Sequence, residues 1–171
     1  GFEYTDTGTI VVNDYSYTNW YFTQYGSTEG TINLPRAIAR STDTFFYKVG
    51  ELAGPENITA WAKSFGYGKK TGIDLPGEIA GLVPSPEWKK AIKGERWFLG
   101  NTYHMAIGQG DLEVTALQAN VMTVALAGGG RLCRPPGSCM KRSCDCYRVM
   151  PHKSFAGGPI SSPRPRKPCG G

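Results

Sequence analysis

The sequence predicts an α+β chain, and three observations carry that expectation. Residues 1–32 are rich in Thr, Tyr, Val and Gly, the composition of short strands joined by loops. After Asn33 the pattern changes to segments bounded by capping residues, Gly and Pro, with apolar residues at helical spacing. From Arg131 onward neither periodicity is present. Charge divides at the same place: residues 1–130 carry 10 Lys/Arg and 13 Asp/Glu, whereas residues 131–171 carry 9 basic residues and 1 acidic residue. All five cysteines and 7 of the 12 prolines lie in that second part, so the net charge of +5 describes neither half. The expected organisation is therefore a domain over 1–131 and a basic, Cys/Pro-rich tail over 132–171.

Taken in order, "TGTIVVNDYSYTNWYF" reads as short strands and loops. Asn33 caps a helix whose first turn holds Pro35, where a missing N–H costs nothing, and "LPRAIAR" runs to near Ser41. A second helix follows through "TFFYKVGELA" and stops at Gly54-Pro55; a third begins at Pro55 and ends before Gly66. The stretch "GYGKKTGIDLPGEIAGLVPSPEWKK", with Gly at 66, 68, 72, 77 and 81 and Pro at 76, 84 and 86, has loop composition. "YHMAIG" is expected as a short strand leading into a Gly-rich turn. A helix capped near Thr115 follows, with Leu117, Val121, Val124 and Ala125 as its core stripe, and Gly128-Gly129-Gly130 ends it. The tail's Pro, Gly, Ser and Arg content cannot offset the entropy of ordering a chain, so disorder is expected there.

Composition excludes several classes. No apolar run approaches the ~20 residues of a membrane helix. Two histidines, His104 and His152, and cysteines spaced x5, x4, x1 and x22 do not make a zinc site, which prefers paired short gaps. Gly108-Gln109-Gly110 is too short to cradle a phosphate. No cofactor and no metal are expected. The aromatic run "DYSYTNWYFTQY" admits two readings, a carbohydrate platform or core and loop packing, and packing is favoured. The basic tail could bind nucleic acid or anionic lipid. A frame-shifted or non-homologous terminus accounts better for so abrupt a change, and no nucleic-acid partner is expected.

Three stretches carry a resemblance: "INLPRAIARSTDTFFYKVGELAG", "FGYGKKTGIDLPGEIAGLVPS" and "HMAIGQGDLEVTALQ". In this order and spacing the chain resembles the transpeptidase domain of class B penicillin-binding proteins, with the nearest likeness to the elongation-type enzymes. The likeness runs from about Tyr4 to Pro135. It implies part of a penicillin-binding-protein/β-lactamase-like fold, a helical subdomain against part of an antiparallel sheet. It also implies acyl transfer in peptidoglycan cross-linking: a Ser in S-x-x-K attacks the penultimate D-Ala carbonyl of a stem peptide, and its Lys takes the hydroxyl proton. A second motif, S-x-N or S-x-D, relays protons to and from the leaving group, and a K-T-G strand binds the substrate carboxylate. The implied partners are the D-Ala-D-Ala stem peptide, β-lactams that mimic it, and elongation-complex membrane proteins, at the extracytoplasmic face of the bacterial cytoplasmic membrane.

Ser41-Thr42-Asp43 matches the second motif, so Ser41 is the expected relay hydroxyl and Asp43 its polar partner. The plainer reading is an ordinary helix N-cap, since Ser and Asp both cap well. Lys70-Thr71-Gly72 spells the third motif but is expected to be a decoy. A catalytic K-T-G needs an edge strand, whereas Gly66, Gly68 and Pro76-Gly77 crowd this one, and only 26 residues separate Asp43 from Lys70. The one S-x-x-K, Ser138 to Lys141, and the S-x-D at Ser143 to Asp145 occur in the wrong order and in charged, Pro-flanked surroundings. The chain opens at Gly1-Phe2 and no secretory leader is legible. It is expected to be an internal piece whose nucleophile lies upstream and whose K-T-G lies downstream, inactive by itself. The rival reading is a non-catalytic interaction module of the same fold with a cationic tail.

Overall fold

The computed structural model describes residues 1–135 and 146–149. They form two compact units, one of Gly1–Thr59 with Pro84–Leu112, the other of Ala60–Val83 with the residues from Glu113 onward. The helix–strand mixture is the α+β class expected.

In the first unit, β1 (Glu3–Asp6) pairs antiparallel with β4 (Gly30–Asn33), with Tyr4 opposite Ile32. A hairpin joins β2 (Thr9–Val12) to β3 (Tyr15–Thr18) through Asn13-Asp14, where Asn13 takes the left-handed conformation that Asn tolerates. Next come α1 (Trp20–Tyr25), α2 (Leu34–Arg40) and α3 (Asp43–Ala53). The Asn33 side chain accepts from the Arg36 N–H at 3.2 Å, so the cap expected for α2 is present. Ile32, Ala37 and Phe45 form the buried centre, with Tyr4 and Phe46 against it. Phe2, Tyr4 and Phe46 meet the Phe45 ring edge-on, the arrangement the ring quadrupole favours.

α4 (Pro55–Ser64) follows, and the boundary between the units falls within it. Two further helices belong to the first unit, and each departs from the expectation. α5 (Pro86–Lys93) lies where loop was expected. Its start is conventional: Ser85 Oγ accepts from the Trp88 N–H at 3.1 Å, Pro86 and Glu87 occupy the first turn, and Gly94 closes it at positive φ. α6 (Leu99–Ala106) replaces the expected strand at "YHMAIG". Its Phe98 N–H donates to Asn101 Oδ1 at 2.9 Å, and Thr102, Tyr103 and Met105 are buried. Helix is selected there by tertiary contact: α6 packs on α3 at Gly50, where a Cβ would stand 2.5 Å from Ala106 Cβ.

In the second unit, α7 (Ala116–Ala127) begins with a reciprocal capping box. Gln118 N–H donates to Thr115 Oγ1 at 3.1 Å, and Thr115 N–H donates to Gln118 Oε1 at 2.9 Å. Ala125 is buried and Val121 packs beside it, but Val124, expected in the same stripe, is exposed. Gln118 is buried, and its Nε2 reaches back to the carbonyls of Lys69 and Ala80 at 2.8 and 2.7 Å, pinning the long loop. Leu82 and Glu113 exchange two main-chain hydrogen bonds.

The boundary expected at Arg131 does not hold for the residues immediately past it. β5 (Arg131–Cys133) pairs with β6 (Cys146–Arg148), and a disulfide joins Cys133 to Cys146. Leu132 and Val149 are buried against Ala125, Phe65 and Tyr147. Apolar burial and a covalent link supply what tail composition alone does not. The disorder expected over 132–171 is therefore corrected for 132–135 and 146–149; the rest of that tail lies outside the described residues.

Candidate functional site

Ser41, Thr42 and Asp43 make the corner between α2 and α3. Two hydrogen bonds close α2 in the pattern that ends many helices: Thr42 N–H to Ala37 O at 3.0 Å and Ser41 N–H to Ile38 O at 3.2 Å. That closure needs a left-handed residue between its two donors, a place usually held by glycine. Here it is Ser41, at φ 50° and ψ 51°. A side chain in this region costs on the order of 1 kcal/mol. Ser41 is not an N-cap. Its side chain is exposed, and among the described residues its hydroxyl makes no hydrogen bond.

The next three residues alternate about the surface. Thr42 is fully buried, and its Oγ1 has no partner among the described residues. Asp43 is half-buried in the first turn of α3, where a carboxylate suits the helix dipole, and its Oδ2 accepts from the Trp20 N–H at 3.3 Å. Burial pushes the Asp43 carboxyl above the usual carboxylate range, and the Trp20 N–H offsets this in part. Thr44 points inward and donates through Oγ1 to Asp6 Oδ1 at 2.6 Å.

Asp6 anchors the corner from below. Its buried carboxylate also accepts from Gly8 N–H at 2.9 Å, Glu29 N–H at 2.9 Å and Asn19 Nδ2 at 3.2 Å. Burial raises its pKa, but the Thr44 hydroxyl, the two amides and Asn19 together hold it below the ordinary value. One carboxylate thus ties the end of β1, the start of α1, the approach to β4 and the first turn of α3. No sequence signal marks an isolated Asp in a strand as such a hub.

Beneath α3 lies a tyrosine cluster. Tyr47 stacks on Tyr103 at 5.2 Å, and Tyr17 meets both edge-on. Tyr103 OH donates to Glu51 Oε2 at 2.9 Å. Burial, then the Glu51 carboxylate, pushes the Tyr103 phenol well above its usual range; burial, with Asp43 and Tyr17, raises Tyr47 as well. Both remain neutral at physiological pH. The aromatic run upstream forms β3 and α1, with Trp20, Tyr21 and Tyr25 in mutual ring contact and the Arg40 guanidinium over Trp20 and Tyr21.

Lys70-Thr71-Gly72 belongs to the second unit and lies in a loop, not a strand. Glu78 curls the loop on itself: its carboxylate accepts from Thr71 N–H at 2.6 Å, Thr71 Oγ1 at 2.5 Å and Gly72 N–H at 3.1 Å. The Thr71 hydroxyl, opposed by burial and aided by the two amides and the charge of Lys70, holds Glu78 below its ordinary range. The hydroxyl and amides that a substrate carboxylate would use are taken by Glu78.

His104 is exposed on α6 beside Tyr17. Among the described residues no group of three or more His, Cys, Asp or Glu could hold a metal ion, and no helix is long and apolar enough to cross a membrane. Ser138, Lys141, Ser143 and Asp145 lie outside the described residues.

Residues 2–142 match the family model described as the penicillin binding protein transpeptidase domain. The chain is 38% identical over 129 residues to the peptidoglycan D,D-transpeptidase MrdA of Salmonella typhimurium, covering 75% of this chain and 20% of that protein. The MrdA of Acinetobacter baumannii is 41% identical over 101 residues, covering 59% of this chain and 15% of the relative. Among solved structures, the penicillin-binding protein PBP2 of Helicobacter pylori in complex with MreC superposes with a TM-score of 0.80 at 30% identity, over 88% of this chain and 27% of that one. PBP2 of Pseudomonas aeruginosa in complex with WCK 5153 gives 0.72 at 35% identity, over 79% and 29%. The chain thus spans about a fifth or less of the curated relatives it matches.

Proposed function

Because the chain belongs to the penicillin-binding protein transpeptidase family, we propose that it forms part of a D,D-transpeptidase that cross-links peptidoglycan, in which Ser41 relays protons and Asp43 is its polar partner. In that reaction the nucleophilic serine bonds to the penultimate D-Ala carbonyl, the peptide C–N bond breaks, and the departing D-Ala amine takes up a proton. An amine from a second stem peptide then attacks the acyl-enzyme and releases the serine. Each half needs a proton delivered to or removed from nitrogen, and a hydroxyl does this without a change in its own charge.

The observation that carries the reading is the conformation of Ser41. A serine sits where helix closure favours glycine, exposed and, among the described residues, with no hydrogen bond to its hydroxyl. Strain that gains nothing for stability is commonest at functional positions. Asp43, raised by burial, places an acceptor two residues away on the same corner. The stem peptide and β-lactams are the ligands this reading gives the whole enzyme. Elongation-complex membrane proteins at the extracytoplasmic face are its partners, a reading supported by the Helicobacter pylori relative's complex with MreC.

The test uses a full-length transpeptidase carrying this segment and a fluorescent penicillin. Ser41→Ala lowers the acylation rate by roughly 10²–10⁴, the loss typical of a proton-transfer group. Acylation at the wild-type rate would remove Ser41 from the mechanism.

A further inference from the structure

We propose that Trp20 is a positioning residue for the Ser41 corner, holding it from both ends. The inference rests on the reading of Ser41 as the relay. The indole N–H of Trp20 donates to Arg40 O at 2.9 Å, immediately before Ser41. The main-chain N–H of the same residue donates to Asp43 Oδ2 at 3.3 Å, immediately after Thr42. A single residue thus brackets the left-handed serine.

The indole bond has a specific use. Arg40 O is among the last carbonyls of α2, which the helix itself leaves without partners. Unwinding the last turn would let Ser41 leave the left-handed region and swing its hydroxyl away. By engaging Arg40 O from outside the helix, Trp20 opposes that relaxation. The Arg40 side chain reinforces the contact: its guanidinium lies 5.6 Å from the centre of the Trp20 ring and 4.8 Å from that of Tyr21, while its Nε donates to Glu29 at 2.7 Å.

Trp20 is itself well anchored. Asn19 N–H donates to Gly8 O at 2.8 Å, and buried Asn19 donates to Asp6. Trp20 is nevertheless 37% exposed, so burial alone does not explain a tryptophan here. Its value lies in the donor at the far edge of the ring, which Phe and Tyr do not offer at that position.

The experiment uses the same full-length transpeptidase with Trp20→Phe, Ser41→Ala and the double variant, assayed with fluorescent penicillin. Phe keeps the main-chain N–H and a ring beside Arg40 but removes the indole donor. The expected result is an acylation rate at saturating penicillin about tenfold lower, as for a slightly misplaced group. The half-saturating concentration and the amount of penicillin-reactive protein stay unchanged. In the Ser41→Ala background the Trp20 effect disappears, because the residue acts through Ser41. An unchanged rate for Trp20→Phe overturns the proposal. So does an equal loss in both backgrounds, or a loss of reactive protein at an unchanged rate, either of which makes Trp20 merely structural. If Ser41→Ala alone is without effect, the relay reading has failed and this inference goes with it; if only the Trp20 result fails, the relay reading stands.

Discussion

Asp6 offers the sharpest test of how the corner is built. Its carboxylate accepts four hydrogen bonds, from Gly8 N–H, Glu29 N–H, Asn19 Nδ2 and Thr44 Oγ1, at a site only 2% exposed. Asp6→Ala removes every acceptor. The Thr44 hydroxyl can rotate to another partner and water can reach part of the vacated space, but the two main-chain amides are held by the chain. Each amide left without a partner costs about 1–3 kcal/mol, so the expected loss is about 4 kcal/mol. That is a large share of the roughly 5–15 kcal/mol that holds a domain folded. Asp6→Asn keeps one oxygen but turns an N–H₂ toward two donors, for an expected loss of about 2–3 kcal/mol. Urea unfolding at pH 7, followed by circular dichroism, measures both. Acidification adds an independent check. Because the Asp6 pKa is lowered by folding, its contribution is fully present above the ordinary value of 3.8 and is lost as pH falls through the lower folded value. The gap between wild type and Asp6→Asn should therefore narrow below about pH 3.8. Glu51, Glu78 and Asp111 are also lowered by folding, but they titrate alike in both proteins and cancel in the comparison. A loss under about 1 kcal/mol for Asp6→Ala, or a gap unchanged by acid, would refute the assignment of Asp6 as the anchor.

Three further outcomes follow from the same geometry. Ser41→Gly relieves the left-handed backbone and should raise stability in urea by about 0.5–1 kcal/mol while acylation in the full-length enzyme falls as it does for Ser41→Ala; destabilisation would mean that the serine side chain supports the corner. Lys70→Ala should leave acylation within a few-fold of wild type, since Glu78 already occupies the Thr71 and Gly72 donors; a loss equal to that of Ser41→Ala would reinstate Lys70-Thr71-Gly72 as catalytic. The Cys133–Cys146 disulfide closes a loop of sequence separation 13. By loop-closure entropy its reduction should lower stability by about 3 kcal/mol, and peptide mapping that pairs either cysteine with another would contradict the arrangement.

The parts of this molecule written locally were legible from the sequence, because capping and turn chemistry act over three or four residues. Asn33 with Pro35 marks the start of α2, Thr115 that of α7, and Gly54-Pro55 the end of α3. α5 carried equally local signals in Ser85, Pro86 and Gly94, obscured by the Gly- and Pro-rich loop before them. The crowded setting of Lys70-Thr71-Gly72 was readable for the same reason, whereas Ser41-Thr42-Asp43 read locally as an ordinary cap and was singled out only by the family resemblance of the stretches around it. Contacts between distant residues decided the rest. α6 is helical because Gly50 of α3 admits Ala106 closely, and Val124 is exposed because Leu132 and Val149 cover Ala125. The pairing of Cys133 with Cys146, the convergence of four donors on Asp6 and the Trp20 contacts around Ser41 join residues up to 38 positions apart. Such pairings depend on how the whole chain closes, so the family resemblance of the sequence names the relay candidates, and only the packed structure decides what holds them in place.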